Sequence, residues 1–222
     1  MIPAYEDQVL VATIRDAIDK SENPENLYFA VAMQFDEVPY PDISEWKSNP
    51  NFKFLDYEVA SRPGVMQLRN ILAKHHKDQE YVLLCDSHMT FVDAWDTKLM
   101  EDYKILQSLQ GEKVIISAQM GEDRRHLGDS YECNCHGGSG EAPHRITTWD
   151  KPEKIDNFDF LKGSTVEVVT EHEDFIPTYY SSHHMFFFQK DYILDGWMFD
   201  SVRNYGEETF SSWIAFMKGW TI

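Results

Sequence analysis

Tyr81-Val82-Leu83-Leu84-Cys85 runs for five residues without a charged or amide side chain. A strand with one face in water alternates apolar and polar residues, so an unbroken run marks a strand covered on both faces. Val114-Ile115-Ile116-Ser117-Ala118 repeats the pattern, Leu27 to Met33 is a short apolar candidate, and Phe175 to Gln189 is aromatic and strand-like. Segments of helical period lie between them. Asp7 to Lys20 sets Leu10, Val11, Ile14, Ala17 and Ile18 in one stripe, and Ser21-Glu22-Asn23-Pro24 stops it. A second helix follows Ser61 as its N-cap, with Pro63 in the first turn and Val65, Leu68 and Leu72 on the buried face. Trp95 to Leu109 and Glu207 to Lys218 read as helices, and Tyr40 to Asn51, polar and carrying Pro41 and Pro50, as loop. The alternation predicts an α/β domain whose mostly parallel central sheet is flanked by helices.

A length of 222 residues suffices for one sizeable core and is marginal for two. We therefore read residues 1–222 as a single domain, with a long loop or insertion at about 121–165, rich in Gly, Asp, His and Lys. Against 20 Lys and Arg stand 38 Asp and Glu, a formal charge of −18. Such a chain repels a bare phosphate backbone at long range, which counts against non-specific nucleic-acid binding. No stretch approaches the roughly 20 apolar residues of a membrane span. The first residues, Met1 to Asp7, lack the basic and apolar regions of a signal peptide. The 3 cysteines form no paired disulfide framework and fit a reducing compartment. The expectation is a soluble, cytoplasmic protein with no membrane partner.

Asp86-Ser87-His88 follows the apolar run directly. In an open α/β sheet, ligands sit beyond the carboxyl ends of the strands. Residues i and i+2 of an extended chain share a side, so Asp86 and His88 can reach one ion while Ser87 turns away. One carboxylate with one imidazole suits Mn²⁺ or another borderline divalent ion better than Ca²⁺. The competing reading is a strand-end Asp capping a turn beside a surface His. A second cluster, Cys133-Asn134-Cys135-His136 with His126 and His144 nearby, carries zinc-type donors without the usual Cys-x2-Cys spacing. Gly137-Gly138-Ser139-Gly140 beside it lacks the Lys-Ser/Thr of a phosphate-binding loop. Cys85 reads as core.

Asp-x-His after an apolar strand resembles the metal motif of nucleotide-sugar glycosyltransferases of the GT-A (Rossmann-like) fold. The resemblance is to the polypeptide N-acetylgalactosaminyltransferases and the related Skp1-type GlcNAc-transferase family. Other segments agree in order. Ile2-Pro3-Ala4-Tyr5-Glu6-Asp7 with Thr13-Ile14-Arg15 is similar to the first strand, loop and helix, where these enzymes hold the nucleotide. Arg62-Pro63-Gly64 through Arg69 is similar to the Arg-x-Gly-x-x-x-x-Arg helix, and Phe91 to Asp96 to the aromatic-acidic stretch after the motif. Tyr205-Gly206-Glu207-Glu208 resembles the Gly-Glu signature beside donor and acceptor, and Trp213 and Gly219-Trp220 also suit the family.

The resemblance implies a site. Pro3, Ala4, Tyr5, Glu6, Arg15, Arg62, Gly64, Arg69, Asp86 and Ser87 would hold a UDP-sugar, and Asp86 and His88 a Mn²⁺ or Mg²⁺ ion. Glu207, Glu208 and Asp86 would be catalytic, the glutamates orienting the acceptor or stabilising charge at the anomeric carbon. Departure of a diphosphate calls for neutralisation by a divalent ion, to which Arg62 or Arg69 could add. The implied donor is GlcNAc or GalNAc, the implied outcome retention, and the acceptor a protein, a glycan or a modified nucleic acid, the last two in bacterial or phage relatives. The family takes a third ligand, a His, after the Gly-Trp position, where this sequence stops at Ile222. His183 and His184 are the possible substitutes, with polar punctuation before Phe186 as their other reading. The alternatives are a non-catalytic protein of this fold and a zinc-stabilised interaction module around residues 126–144.

Overall fold

A computed structural model describes residues 1–36, 39–58, 63–75, 78–118, 144–155, 158–168, 181, 183–195 and 207–222, with backbone only at 118, 144–155, 158–168 and 207. The strands are β1 (Ile2–Tyr5), β2 (Phe29–Gln34), β3 (Phe52–Asp56), β4 (Tyr81–Cys85), β5 (Ile115–Ala118), β6 (His144–Ile155), β7 (Phe158–Val168) and β8 (Met185–Gln189). The helices are α1 (Leu10–Asp19), α2 (Val65–Ala73), α3 (Trp95–Gln110), α4 (Asp191–Leu194) and α5 (Glu207–Met217).

β1, β2 and β3 form a parallel sheet with β2 central, and β4, β8 and β5 a second sheet in which β8 runs antiparallel to both neighbours. The two sheets meet at Met1, whose N–H donates to the Leu83 carbonyl at 2.6 Å and whose carbonyl accepts from the Cys85 N–H at 3.2 Å. One residue spanning i−1 and i+1 of its neighbour is a parallel ladder. The strand order is therefore β3-β2-β1-β4-β8-β5, with β8 alone reversed among these six strands. Thr221 adds a parallel bridge on the outer side of β5, at Val114.

Alternate side chains of these strands feed two helical layers. Phe29, Val31 and Met33 of β2 meet Leu10 and Ile14 of α1, while Ala30 and Ala32 face Leu68 and Leu72 of α2. The two alanines leave room for α2 against the sheet. On β8, Phe187 packs with Tyr103 and Leu106 of α3 on one face, and Phe186 and Phe188 with Met66, Tyr192 and Ala215 on the other. Burying each of these large side chains stabilises the fold by roughly 1.5–3 kcal/mol. The two-sided apolar runs of β4 and β5 thus have the cover expected of them.

Some boundaries differ from expectation. The first helix starts at Leu10 rather than Asp7, because Asp7 turns its carboxylate onto the Val9 N–H. The second starts at Val65, with Gly64 extended at its N-cap (φ −66°, ψ 161°), so Pro63 precedes the first turn; Ser61 lies outside the described residues. Within the region expected as a long loop or insertion at about 121–165, β6 and β7 pair antiparallel from His144↔Val168 to Ile155↔Phe158. β3 and α4 were not anticipated, and the described part of the Phe175–Gln189 segment is strand from Met185.

The loop after β4 lies along α1. The Thr13 hydroxyl, fully buried, donates to the Met89 carbonyl and accepts from the Met89 N–H, both at 3.1 Å. Asp16 accepts from the Phe91 N–H at 2.6 Å, Lys20 donates to the Phe91 carbonyl, and Trp95 Nε1 donates to the Ala17 carbonyl. Asp96, in the first turn of α3, accepts from the N–H groups of Glu22 and Asn23 at 2.8 and 2.9 Å. The stretch that resembled a family signature therefore anchors this loop and the turn that ends α1.

Two measurements check this anchoring. Thr13→Val removes both bonds to a buried backbone and should cost about 1–3 kcal/mol in urea unfolding, whereas Thr13→Ser should recover most of it. Burial alone would raise the Asp96 carboxyl, but the bonds from Glu22, Ser21 and Asn23 hold it at about 2, against an ordinary 3.8. A depressed folded value stabilises above the unfolded one and is lost on acidification. Asp96→Ala should thus be the less stable protein at pH 7, and the gap should close as pH falls from about 4 towards 2.

Candidate active site

The carboxyl ends of β1, β2 and β4 and the N-terminus of α2 enclose a cleft of about 850 Å³, the size and position expected of a ligand site in an open α/β sheet. Pro3, Ala4, Tyr5, Glu6, Gly64, Asp86, Ser87 and His88, all named from the sequence, line it. Asp7, Gln8 and Gln34 line it too, and they were missed. Glu6 sits at φ +50°, a left-handed conformation costly for a non-glycine residue. Its N–H donates to the Gln34 carbonyl at 2.9 Å and its Oε1 accepts from the Asp36 N–H at 2.8 Å. These bonds hold the turn in place.

At the motif itself, Ser87 is buried and its hydroxyl donates to Asp7 Oδ2 at 2.6 Å. The alternation expected Ser87 to turn away from Asp86 and His88; instead it lines the same cleft and shares the Asp7 oxygen with His88, because the chain after β4 is no longer extended strand. His88 Nδ1 lies 2.8 Å from the same Asp7 oxygen, and its Nε2 stands 3.7 Å from Asp86 Oδ2. Burial works against the charged form of Asp7, but hydrogen bonds from His88, Ser87 and the Val9 N–H outweigh it and hold the carboxyl below its ordinary value. His184 approaches the same oxygen, with Nδ1 at 3.8 Å from Asp86 Oδ2 and its carbonyl accepting the Asp86 N–H at 3.3 Å.

His183 is not available to the cleft. Arg69 Nη1 donates to its Nδ1 at 2.7 Å, so Nε2 carries the proton and donates to Ser211 Oγ at 2.7 Å. Complete burial, then the charge of Arg69 and the neighbouring His184, keep this ring neutral far below the usual histidine range. The backbone N–H of His183 donates to Glu208 Oε1 at 3.1 Å, and Ser181, Ser211 and Ser212 complete the network between α2 and α5.

The remaining expected residues fall elsewhere. Arg69 is 4% exposed and lies behind the cleft wall. Arg15 pairs with Glu45 at 2.7 Å on the outside of α1, and Glu208 faces His183; neither lines the cleft. Arg62, Tyr205, Gly206, the side chain of Glu207, and His126, Cys133, Cys135 and His136 with the side chain of His144 lie outside what is described.

The electrostatics follow from this placement. Among the described lining residues are three carboxylates, Glu6, Asp7 and Asp86, and no lysine or arginine. Each of these carboxylates repels an entering anion. Among the described residues no three His, Cys, Asp or Glu side chains form a ready-made metal group. Asp86 and His88 supply two donors, and α2 aims its N-terminal N–H groups at the same space through Gly64.

Residues 36–122, well under half of the chain, match the sequence profile of the family described as Glycosyltransferase (GlcNAc). No curated protein sequence matches. Among solved structures, residues 1–349 of S. aureus TarS superpose with a TM-score of 0.50 at 13% identity, over 99% of this chain. This chain spans about half, 53%, of that TarS chain. The chain shares the α/β fold of the TarS chain, and its segment with α2, the Asp86-Ser87-His88 motif and α3 matches a glycosyltransferase family.

Proposed function

We propose that this chain is a metal-dependent glycosyltransferase that transfers a GlcNAc-like sugar from a UDP-sugar to an acceptor hydroxyl with retention of configuration. One observation carries it: the cleft that holds Asp86 and His88 has carboxylates and no lysine or arginine among its described lining residues. A nucleotide diphosphate entering there requires a divalent cation. Asp86 and His88 offer one oxygen and one nitrogen donor, a set suited to Mn²⁺ or Mg²⁺. When bound, such an ion neutralises charge on the departing diphosphate.

The chain's own residues have the rest of the work. Pro3, Ala4, Tyr5 and Glu6 border the nucleotide, and Gly64 presents backbone at the N-terminus of α2 without a side chain to fill the cleft. Arg69, held on His183, acts from behind the wall rather than on the diphosphate. Glu207 and Glu208 open α5, where the family resemblance puts the donor sugar and acceptor. Acceptors in keeping with the resemblance are protein hydroxyls, glycans or modified nucleic acid, of which the −18 charge disfavours the last. The fit to the Skp1-type and polypeptide N-acetylgalactosaminyltransferases belongs to this proposal, as does a cytoplasmic location. No described helix is long and apolar enough to cross a membrane.

Isothermal titration of UDP into the chain tests the reading. Binding should need Mn²⁺, disappear with EDTA, and weaken at least tenfold, about 1.4 kcal/mol, in Asp86→Ala. UDP that binds equally with and without metal, or not at all, would remove the metal-dependent transferase from consideration in favour of a non-catalytic protein of the same fold.

A further inference from the structure

We infer that the chain carries a second ligand site, apart from the cleft: an aromatic-walled cavity between α1 and α3 that takes an organic cation with a ring-bearing body. The inference stands independently of the transferase reading. α1 packs on β2, and α3 on β8. The strands between them, β1 and β4, lie under a cavity of about 530 Å³ bordered by Ile2, Leu83, Ala17 of α1, and Leu99 and Met100 of α3. No described residue lines both this cavity and the cleft. Leu83 shows the gap most directly. Its strand has hydrogen-bonded neighbours on both sides, Met1 and β8, yet its side chain is only half-buried. Val82 and Leu84, on the opposite face, are 6% and 0% exposed. A strand inside a sheet with helices on both faces is ordinarily covered on both. The α1 and α3 layer therefore covers β4 with a gap.

Size, walls and charge set the ligand. Pockets of roughly 300–1,000 Å³ hold small organic molecules, and apolar walls give water few partners. Tyr28, Phe29, Tyr81, Phe91, Trp95 and Phe187 all line this one. Its described charged residues are three carboxylates, Glu80, Asp96 and Glu101, against one ammonium, Lys104. Glu80, Glu101 and Lys104 are exposed, which puts their charge at the mouth. Asp96 is held by the N–H groups of Glu22 and Asn23, neutral donors that leave its charge uncancelled. This surplus repels an anion, whereas a cation gains from the carboxylates and from the faces of the aromatic rings. A fatty acid is thereby disfavoured and a ring-bearing ammonium compound favoured.

Thioflavin T, an aromatic cation that fluoresces when its rings are immobilised, is the probe. It is titrated into the full chain at low ionic strength beside the anionic dye anilinonaphthalene sulfonate. Thioflavin T should bind one to a chain and more tightly than the anion, and UDP with Mn²⁺ should not displace it. Met100→Trp and Leu99→Trp fill the cavity from α3 and should each weaken binding about tenfold or more. Glu80→Gln with Glu101→Gln, at exposed positions, should weaken it about two- to tenfold. Melting by circular dichroism identifies the variants that fold, and the glutamine pair reads the charge without touching the core. Thioflavin T that does not bind the wild-type chain, or that UDP with Mn²⁺ displaces, overturns the inference. So does binding as tight in the folded tryptophan variants or the glutamine pair as in wild type, or tighter binding of the anionic dye.

Discussion

The arrangement of the site depends on how the loop after β4 is hung on α1. That loop has no regular structure between Asp86 and Ala94, so its own backbone cannot hold a motif in place. α1 supplies the missing bonds: Thr13 pairs with Met89, Asp16 takes the Phe91 N–H, and the Ala17 and Lys20 carbonyls take Trp95 Nε1 and the Ala94 N–H. Asp7, just before α1, continues the series onto Ser87 and His88. One helix thereby fixes the motif relative to the β1 loop, and these are the two walls between which a ligand would lie.

The sheet gives this anchoring its rigidity. β1 and β4 are neighbours through Met1, so the two loops leave the sheet side by side at their carboxyl ends. α1 and α3 cover one face and α2 and α5 the other, with Phe187 and Phe186/Phe188 of the reversed strand β8 packed into opposite layers. The second layer carries its own polar tie, in which buried Arg69, neutral His183 and Ser211 link α2 to α5. His184, the next residue, stands beside Asp86 as a consequence.

What could be read in the sequence was what is local. The β4 run and the Asp86-x-His88 motif sit within eight positions and declare both a two-sided strand and a donor pair at its end. The stripe of α1 and the length of α3 were legible for the same reason. β3 was missed because Phe52-Lys53-Phe54-Leu55-Asp56 is a half-exposed edge strand with no unbroken apolar run. The hairpin of β6 and β7 was hidden by its Gly, Asp and Lys content. Asp7 was missed because its partners lie 80 and 81 positions away, and no local pattern marks such a contact. Arg69 shows the converse: a basic residue in a helix beside a phosphate-binding candidate invites contact with phosphate, yet it is spent on His183. The third-ligand question divided likewise. His183 and His184 are equivalent in sequence, and only packing separates the buried one from the one beside Asp86.

The chain shares the fold of the TarS chain and matches a glycosyltransferase profile over residues 36–122; in the proposed reading, the three carboxylates among the described lining residues of the cleft set its chemistry. On that reading an anionic nucleotide arrives with a cation, and the cation sits on Asp86 and His88. A crystal structure with UDP and Mn²⁺, using the anomalous signal of manganese, tests this most directly. The account predicts a manganese peak within ligating distance of Asp86 and His88, with diphosphate between it and the Gly64 end of α2. UDP bound in the cleft with no metal peak at Asp86, or manganese and UDP bound outside the cleft, would contradict it.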